Sequence, residues 1–291
     1  MNGHKSTSQL RVVLLTTFAL CAFAANSVLN RLALGSQLID PTTYITIRLV
    51  SGALVLWLLN SVSKQKISLP LPVSWWSAFY LFLYGIAFSY AYQSLSSGMG
   101  AFVLFGTVQT TMLSATVLKG ERPHWSEWLG LSIALAGLVY LLFPGLSAPN
   151  PLGALLMVTA GVAWALYTLK GKSAKDPLET TAVNFVMAVP MVLVASIFSF
   201  STSHFNSQGV LYAVISGSLS SGVGYAVWYA ALKYLTNTRA ALLQLSVPII
   251  AALGGVVFLS ETITSRLVWA GLLIVCGVGF ALGFGKTTNK R

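Results

Sequence analysis

The 291-residue chain is 56% hydrophobic and only 8% charged, where a soluble domain carries about 25% charge. A water-soluble globule is therefore excluded, because too little polar side chain exists to cover one. The net charge of +11 would suggest nucleic acid in a soluble protein, but here the basic residues sit between apolar runs, as the cytoplasmic anchors of a polytopic membrane protein do, so the expected partner is the lipid bilayer and not nucleic acid.

A membrane-crossing helix needs about 20 apolar residues. In chain order, such runs fall at roughly 11–33, 42–62, 74–96, 100–118, 125–143, 151–170, 178–200, 208–234, 240–260 and 266–285. The breaks are short and carry turn residues: Asp40-Pro41, Pro70-Leu71-Pro72, Gly98, Pro144-Gly145, Asn150-Pro151 and Asp176-Pro177. No linker is long enough to hold a soluble domain. Solidly apolar runs, rather than alternating ten-residue segments, predict helices and not a barrel. The expected fold class is an all-α integral membrane protein with ten transmembrane helices.

The basic residues orient these spans. With the N-terminus in the cytoplasm, that side receives Lys5, Arg11, Lys64, Lys66, Lys119, Arg122, Lys170, Lys172, Lys175, Lys233, Arg239, Lys286, Lys290 and Arg291, fourteen of the seventeen. The opposite side receives Arg31 and Arg266, and Arg48 lies within the second run. This bias places both termini in the cytoplasm, in a cell inner membrane. Lys5 and Arg11, an apolar run and Ala22-Phe23-Ala24 together imitate a cleavable signal peptide. An internal repeat argues that the first run belongs to the fold instead.

The repeat centres on Ala101–Glu121 and Ala241–Glu261. Both segments open on Ala, run apolar with small residues through the middle and end in Glu. Four aligned positions are identical: Ala101/Ala241, Leu113/Leu253, Val117/Val257 and Glu121/Glu261. The flanks repeat as well. Residues 22–31 align on 163–172, and Asp40-Pro41 and Asp176-Pro177 each open a run. The expected division is therefore 1–146 and 147–291, with five spans in each half. An odd number inverts the second half relative to the first, the plan of many secondary transporters with a site at the interface of the halves.

Polar groups in hydrocarbon must find partners or line a cavity. Asn26 and Asn30 lie four apart on one face of the first span, with Phe23 nearby and Trp164, Tyr167 and Thr168 at the facing positions of the sixth. The alternative for these amides is helix–helix hydrogen bonding. Tyr84, Phe88 and Tyr92 form a stripe on the third span beside Gln93, and Ser221, Tyr225, Trp228 and Tyr229 a similar one on the eighth. Such stripes serve either packing or binding. Gln109 lies deep in the fourth span. Pro248 removes a backbone donor and crowds the carbonyl of Gln244, so acceptors and a bending point gather in the ninth. The expected substrate-binding set is Asn26, Tyr92, Gln93, Gln109, Trp164, Tyr167, Tyr225, Trp228 and Gln244.

Arg48 is the one charge well inside a span, and such a group is functional by default. It lies near enough to the span's start to snorkel to the outer surface instead. With no in-span carboxylate, its expected partner is a carbonyl or an anionic solute. Glu121 and Glu261, at the rims, are candidate gates along with Arg48 and Pro248; the alternative for the two acids is an ion pair with nearby Arg122 or Arg266. Small residues (Ser216, Gly217, Ser220, Ser221 and Gly224, Gly254-Gly255, and Gly279-x-x-x-Gly283) allow close helix approach. The last motif suits a dimer face or internal packing, and internal packing is expected.

Residues 232–261, LKYLTNTRAALLQLSVPIIAALGGVVFLSE, followed by WAGLLIVCGVGFAL, closely resemble the second half of EamA-type transporters of the drug/metabolite transporter superfamily. The first half fits more loosely, with SLSSGMGAFVLF in place of YLTNTRAALLQL and Val108 in place of Pro248. The resemblance implies a metabolite carrier of ten spans, often an exporter of amino acids or related solutes. Small drug exporters of that superfamily exchange protons through a membrane-embedded Glu. This chain has none in its first span, so facilitated diffusion or exchange is expected.

Competing classes predict features that are missing. An intramembrane enzyme needs paired catalytic groups within spans, and none is seen. A channel needs a charged ring or a carbonyl filter. A non-transporting scaffold would not need two mirrored polar surfaces facing one interface. His4, His124 and His204 lie in polar ends or loops, and Cys21 and Cys276 fall singly in apolar runs, so no metal or other cofactor is expected.

Overall fold

The computed structural model describes residues 3–62, 75–118, 125–143, 148–171, 176–232, 234–235, 243–244 and 246–284. These residues are helical apart from turns and one isolated antiparallel bridge between Ile39 and Phe205. Helix α1 (Gly3–Asn30) runs on into a π turn at Arg31–Gly35. It is followed by α2 (Pro41–Val62), α3 (Trp75–Ala91), α4 (Ser97–Leu118), α5 (Trp125–Leu142), α6 (Pro151–Gly171) and α7 (Pro177–Phe198). Then come α8 (Ser207–Ile215), a π segment at Ser216–Val223, α9 (Gly224–Leu232), α10 (Ser246–Leu259) and α11 (Ser265–Phe284). The third apolar run was expected to stay helical to 96, but α3 stops at Ala91 and the chain turns before Ser97.

Helix starts follow from local chemistry. Asp40 accepts a bond from Thr43 N at 2.9 Å, and Asp176 from Leu178 N and Glu179 N at 3.0 and 3.1 Å. In both cases proline occupies the first helical position, where its missing N–H costs nothing. Asn150 and Asn206 cap α6 and α8 in the same way, through Gly153 N and Gly209 N.

Five helical stretches among the described residues are long and apolar enough to cross a membrane: Leu10–Gly35, Pro41–Val62, Pro151–Gly171, Leu178–Phe198 and Ser207–Ala231. Shorter apolar helices lie at Trp128–Leu142, Ser246–Leu259 and Ser265–Ala281. Their outer faces are as apolar as their inner ones. Leu54, Trp57 and Leu58 on α2, Val194 and Ile197 on α7, and Val257 and Phe258 on α10 all point outward. A helix that is hydrophobic all round needs lipid on the side that protein leaves uncovered.

Several helix contacts recur when the first and second halves of the chain are exchanged. α2 lies on α7, α4 on α10 and α5 on α11. α3 packs on α6 as α1 packs on α9, α4 on α6 as α1 on α10, and α3 on α7 as the π segment on α2. Glycines permit the closest of these approaches. A Cβ on Gly277 would stand 2.6 Å from Ala134 N and 2.7 Å from Gly130 O, so α5 and α11 meet backbone to backbone. That contact is internal and uses Gly277, two residues before the Gly279 motif.

Candidate functional site

The eighth rod is widened where it meets α1 and α2. Its sequence there, SGSLSSGV, has only Leu219 and Val223 as larger side chains. π turns inside α-helices are frequent at functional sites, and this one carries buried serines inward. Ser216 Oγ donates to Asn26 Oδ1 at 2.8 Å. One turn along α1, Asn30 Nδ2 donates to the Asn26 carbonyl at 2.8 Å, and Ser89 Oγ donates to Asn30 Oδ1 at 3.4 Å. α1, α3 and the π segment are thus joined by a buried polar chain. Both asparagines make the interhelical bonds weighed as their alternative role, and Asn26 also faces a cleft.

Arg48 does not snorkel. Its side chain is 3% exposed and points into the bundle. Nε donates to Ser221 Oγ at 3.2 Å and Nη2 to Tyr84 Oη at 3.4 Å. The guanidinium lies 5.6 Å from the Tyr84 ring centre and 5.4 Å from that of Phe88, within cation–π range. Gly217 makes this possible, since the π segment rests directly on the backbone of Arg48.

The narrow cleft beside it is lined by Phe23, Asn26, Ser27, Tyr84, Phe88, Leu104, Phe105, Trp164, Tyr225 and Gln244, and with about 20 Å³ of free volume it is nearly closed in this conformation. Its walls come from α1, α3, α4, α6 and α9, with Gln244 just before α10. Trp164 is the hub, 4.8 Å from Tyr84 and 5.4 Å from both Tyr167 and Tyr225 by ring centres. Phe23 meets Tyr225 and Trp228 edge-on, each at 5.7 Å. An aromatic cage with two amides suits a solute having apolar and polar parts.

The remaining sequence candidates sit at varying distance from this cleft. Tyr167 and Trp228 form a second layer behind Trp164 and Phe23. Tyr92 is fully buried behind Phe88, 4.7 Å away, and its hydroxyl donates to Ser97 O at 3.3 Å. Gln93 is exposed in the turn after α3, and Gln109 is half-buried one turn beyond Phe105. Neither is a cleft wall. Pro248 is buried one turn beyond Gln244. Glu121 lies outside the described residues.

Glu261 has a different partner from the one expected. It pairs with Arg31 at 3.3 Å, not with Arg266. Its carboxylate also accepts from Ser97 N at 2.9 and 3.1 Å, which caps the start of α4. Arg31 in turn donates to the carbonyls of Tyr92 and Gln93 at 3.1 and 3.0 Å. Arg266 instead donates to Phe143 O and lies over Tyr140. Sequence distance explains the miss: Arg266 is near in the chain, whereas Arg31 is near only once α1 packs on α10. The available signal was a pair of opposite charges ending two spans on one expected face. Glu261→Ala strips the cap and the ion pair together. It is expected to destabilise the protein by about 1–2 kcal/mol, read as a lower thermal midpoint in detergent, with Arg31→Ala costing less and the double variant less than the sum.

The sequence matches the EamA-like transporter family twice, over residues 10–143 and 151–283. The chain belongs to the EamA-like transporter family. An uncharacterized protein of Pseudomonas aeruginosa is 44% identical over 272 residues, 94% of each chain. An uncharacterized transporter of Archaeoglobus fulgidus is 30% identical over 215 residues, 69% of this chain and 75% of that one. The uncharacterized inner membrane transporter YedA of Escherichia coli is 26% identical over 205 residues, 67% of this chain and 64% of its own length. A solved crystal structure shares the fold, with a TM-score of 0.64 at 20% identity over 91% of this chain and 98% of that one. These likenesses point to a multi-pass membrane transporter rather than an enzyme. In this EamA-like chain the sequence reasoning missed Ser27, Leu104 and Phe105 as cleft walls. Small and apolar residues in an apolar span carry no mark that separates a wall from packing.

Proposed function

We propose that the protein is a secondary transporter that exports a small organic metabolite, an amino acid or related solute, across the inner membrane by alternating access. In this reading ten transmembrane helices form two inverted five-helix repeats, 1–146 and 147–291, with both termini in the cytoplasm. The observation that carries it is the cleft, whose walls are drawn from both halves: Phe23, Asn26, Tyr84 and Phe88 from the first, Trp164, Tyr225 and Gln244 from the second. Rocking one half against the other opens such a cleft to either side. The helix contacts that recur on exchange of the halves support the same reading, because a mirrored pair of contacts supplies two states of similar energy. Transport proceeds by facilitated diffusion or exchange.

The test is uptake of labelled amino acids and related metabolites into proteoliposomes, with and without an imposed proton gradient. Saturable uptake indifferent to the gradient is expected. Absence of flux across a broad panel of organic solutes would contradict the carrier reading. Gln244→Ala removes a polar wall of the cleft and is expected to abolish that uptake while leaving membrane insertion intact, read by flux and by yield from the membrane fraction of the same preparation.

A further inference from the structure

Arg48 holds a positive charge that the described protein does not balance. A guanidinium offers five N–H donors. Here Nε and Nη2 each meet a neutral hydroxyl, and Nη1 is buried with no hydrogen-bond partner. Glu261 is taken up by Arg31. Asp40, on the same helix, is engaged by Thr43 N, Ser203 Oγ and His204 N. Arg48 is the eighth residue of α2, about 10 Å along a helix that rises 1.5 Å per residue. An unpaired cation at that depth is costly, and a bound anion would offset the cost. Tyr84 and Phe88, the rings that flank the guanidinium, are also walls of the cleft. Arg48 is not itself a wall of the cleft, and these two shared rings are what join its charge to it.

We propose that the transported solute bears a single carboxylate, which pairs with Arg48, and an aromatic or bulky apolar body, which lies among Phe23, Tyr84, Phe88, Trp164 and Tyr225. The inference rests on the carrier reading above. A carboxylate matches the fork of a guanidinium and takes two parallel bonds from it, satisfying the orphaned Nη1. Arg48 is the cation beside the cleft, and the cleft walls themselves hold no basic residue, which fits a monoanion and not a phosphorylated solute. The aromatic walls disfavour a small hydrated anion such as chloride. Asn26 and Gln244 remain for a second polar group on the solute.

The test compares solutes of one shape on the detergent-solubilised wild-type protein. The probes are 3-phenylpropionate, phenylalanine, and the uncharged 3-phenylpropanamide, each scored by the rise in thermal midpoint with concentration. Both carboxylates are expected to bind, and the amide to bind about 10- to 100-fold more weakly, as loss of a charged hydrogen bond predicts. Arg48→Gln is expected to erase the preference for the acid, and Arg48→Lys to keep part of it. Labelled phenylalanine in proteoliposomes should follow the same order. The proposal is overturned if the amide binds as well as the acid, if Arg48→Gln binds the acid as tightly as wild type, or if neither carboxylate binds. The wild-type comparison stands even where the variants fail to fold. Flux of a neutral or cationic solute in the broader uptake panel, with no binding of either acid, would overturn this inference and leave the carrier reading intact. No flux of any solute would remove both.

Discussion

Gly217→Val is expected to yield no stable, monodisperse protein. A Cβ at this position collides with Ser51 Oγ and the Arg48 carbonyl oxygen, and stands 2.8 Å from Arg48 Cα. Two of those three atoms are backbone, so no rotamer change relieves the clash. From the other side, a Cβ on Gly52 would lie 2.6 Å from Phe185 Cε1 and 3.1 Å from the Gly217 carbonyl. The π segment therefore has to leave α2, taking Ser221 from Arg48 and Ser216 from Asn26. Overpacking of a core costs about 1–3 kcal/mol even where side chains can yield, and here they cannot. Gly106→Ala is the control, because nothing lies closer than 3.7 Å to its Cβ position. Size-exclusion profiles in detergent should show the valine variant lost or aggregated and the alanine control unchanged.

The second large effect falls on transport. Trp164→Ala is expected to cut flux about 100-fold or more while the chain still inserts. The indole is the hub of the cage, touching Tyr84 from one half and Tyr225 from the other. It is half-buried and borders the cleft, so its truncation should cost less than the about 3–5 kcal/mol typical of a fully packed aromatic. What is lost is the wall against which a solute stacks and across which the halves meet. Trp164→Phe keeps a ring and should retain an intermediate rate. Proteoliposome flux normalised to reconstituted protein separates these outcomes, and normal flux in Trp164→Ala would take the residue out of the solute path.

Much of this architecture was legible because lipid imposes a simple rule. Apolar runs of about twenty residues cannot satisfy their backbone in hydrocarbon except as helices, and Asp-Pro and Asn-Pro pairs mark where several begin. Asn26, Trp164, Tyr225 and Gln244 stood out for the same reason, as polar or aromatic groups in an apolar field, and the fold gathers these four around one cleft. Side-chain direction was less legible. Tyr92 and Gln93 are adjacent in sequence, yet one is fully buried behind Phe88 and the other faces out of the turn after α3. The π segment was illegible because its serines and glycines also suit ordinary close packing; only the structure shows the helix widening there. Arg48 shows the limit most plainly. Its position in the chain allowed snorkelling, and what forbids it is the approach of Gly217 and Ser221, over 160 residues away.

The central claim is that the cleft between the halves opens alternately to the two sides of the membrane. The most direct test places a single cysteine on a cleft wall, Leu104→Cys, in a chain whose exposed Cys21 and Cys276 are replaced by serine. A membrane-impermeant thiol reagent is then applied to right-side-out and to inside-out vesicles. Labelling from both sides, without leakage of the reagent across the membrane, is the predicted result. Labelling from one side alone, or from neither, would contradict alternating access through this cleft.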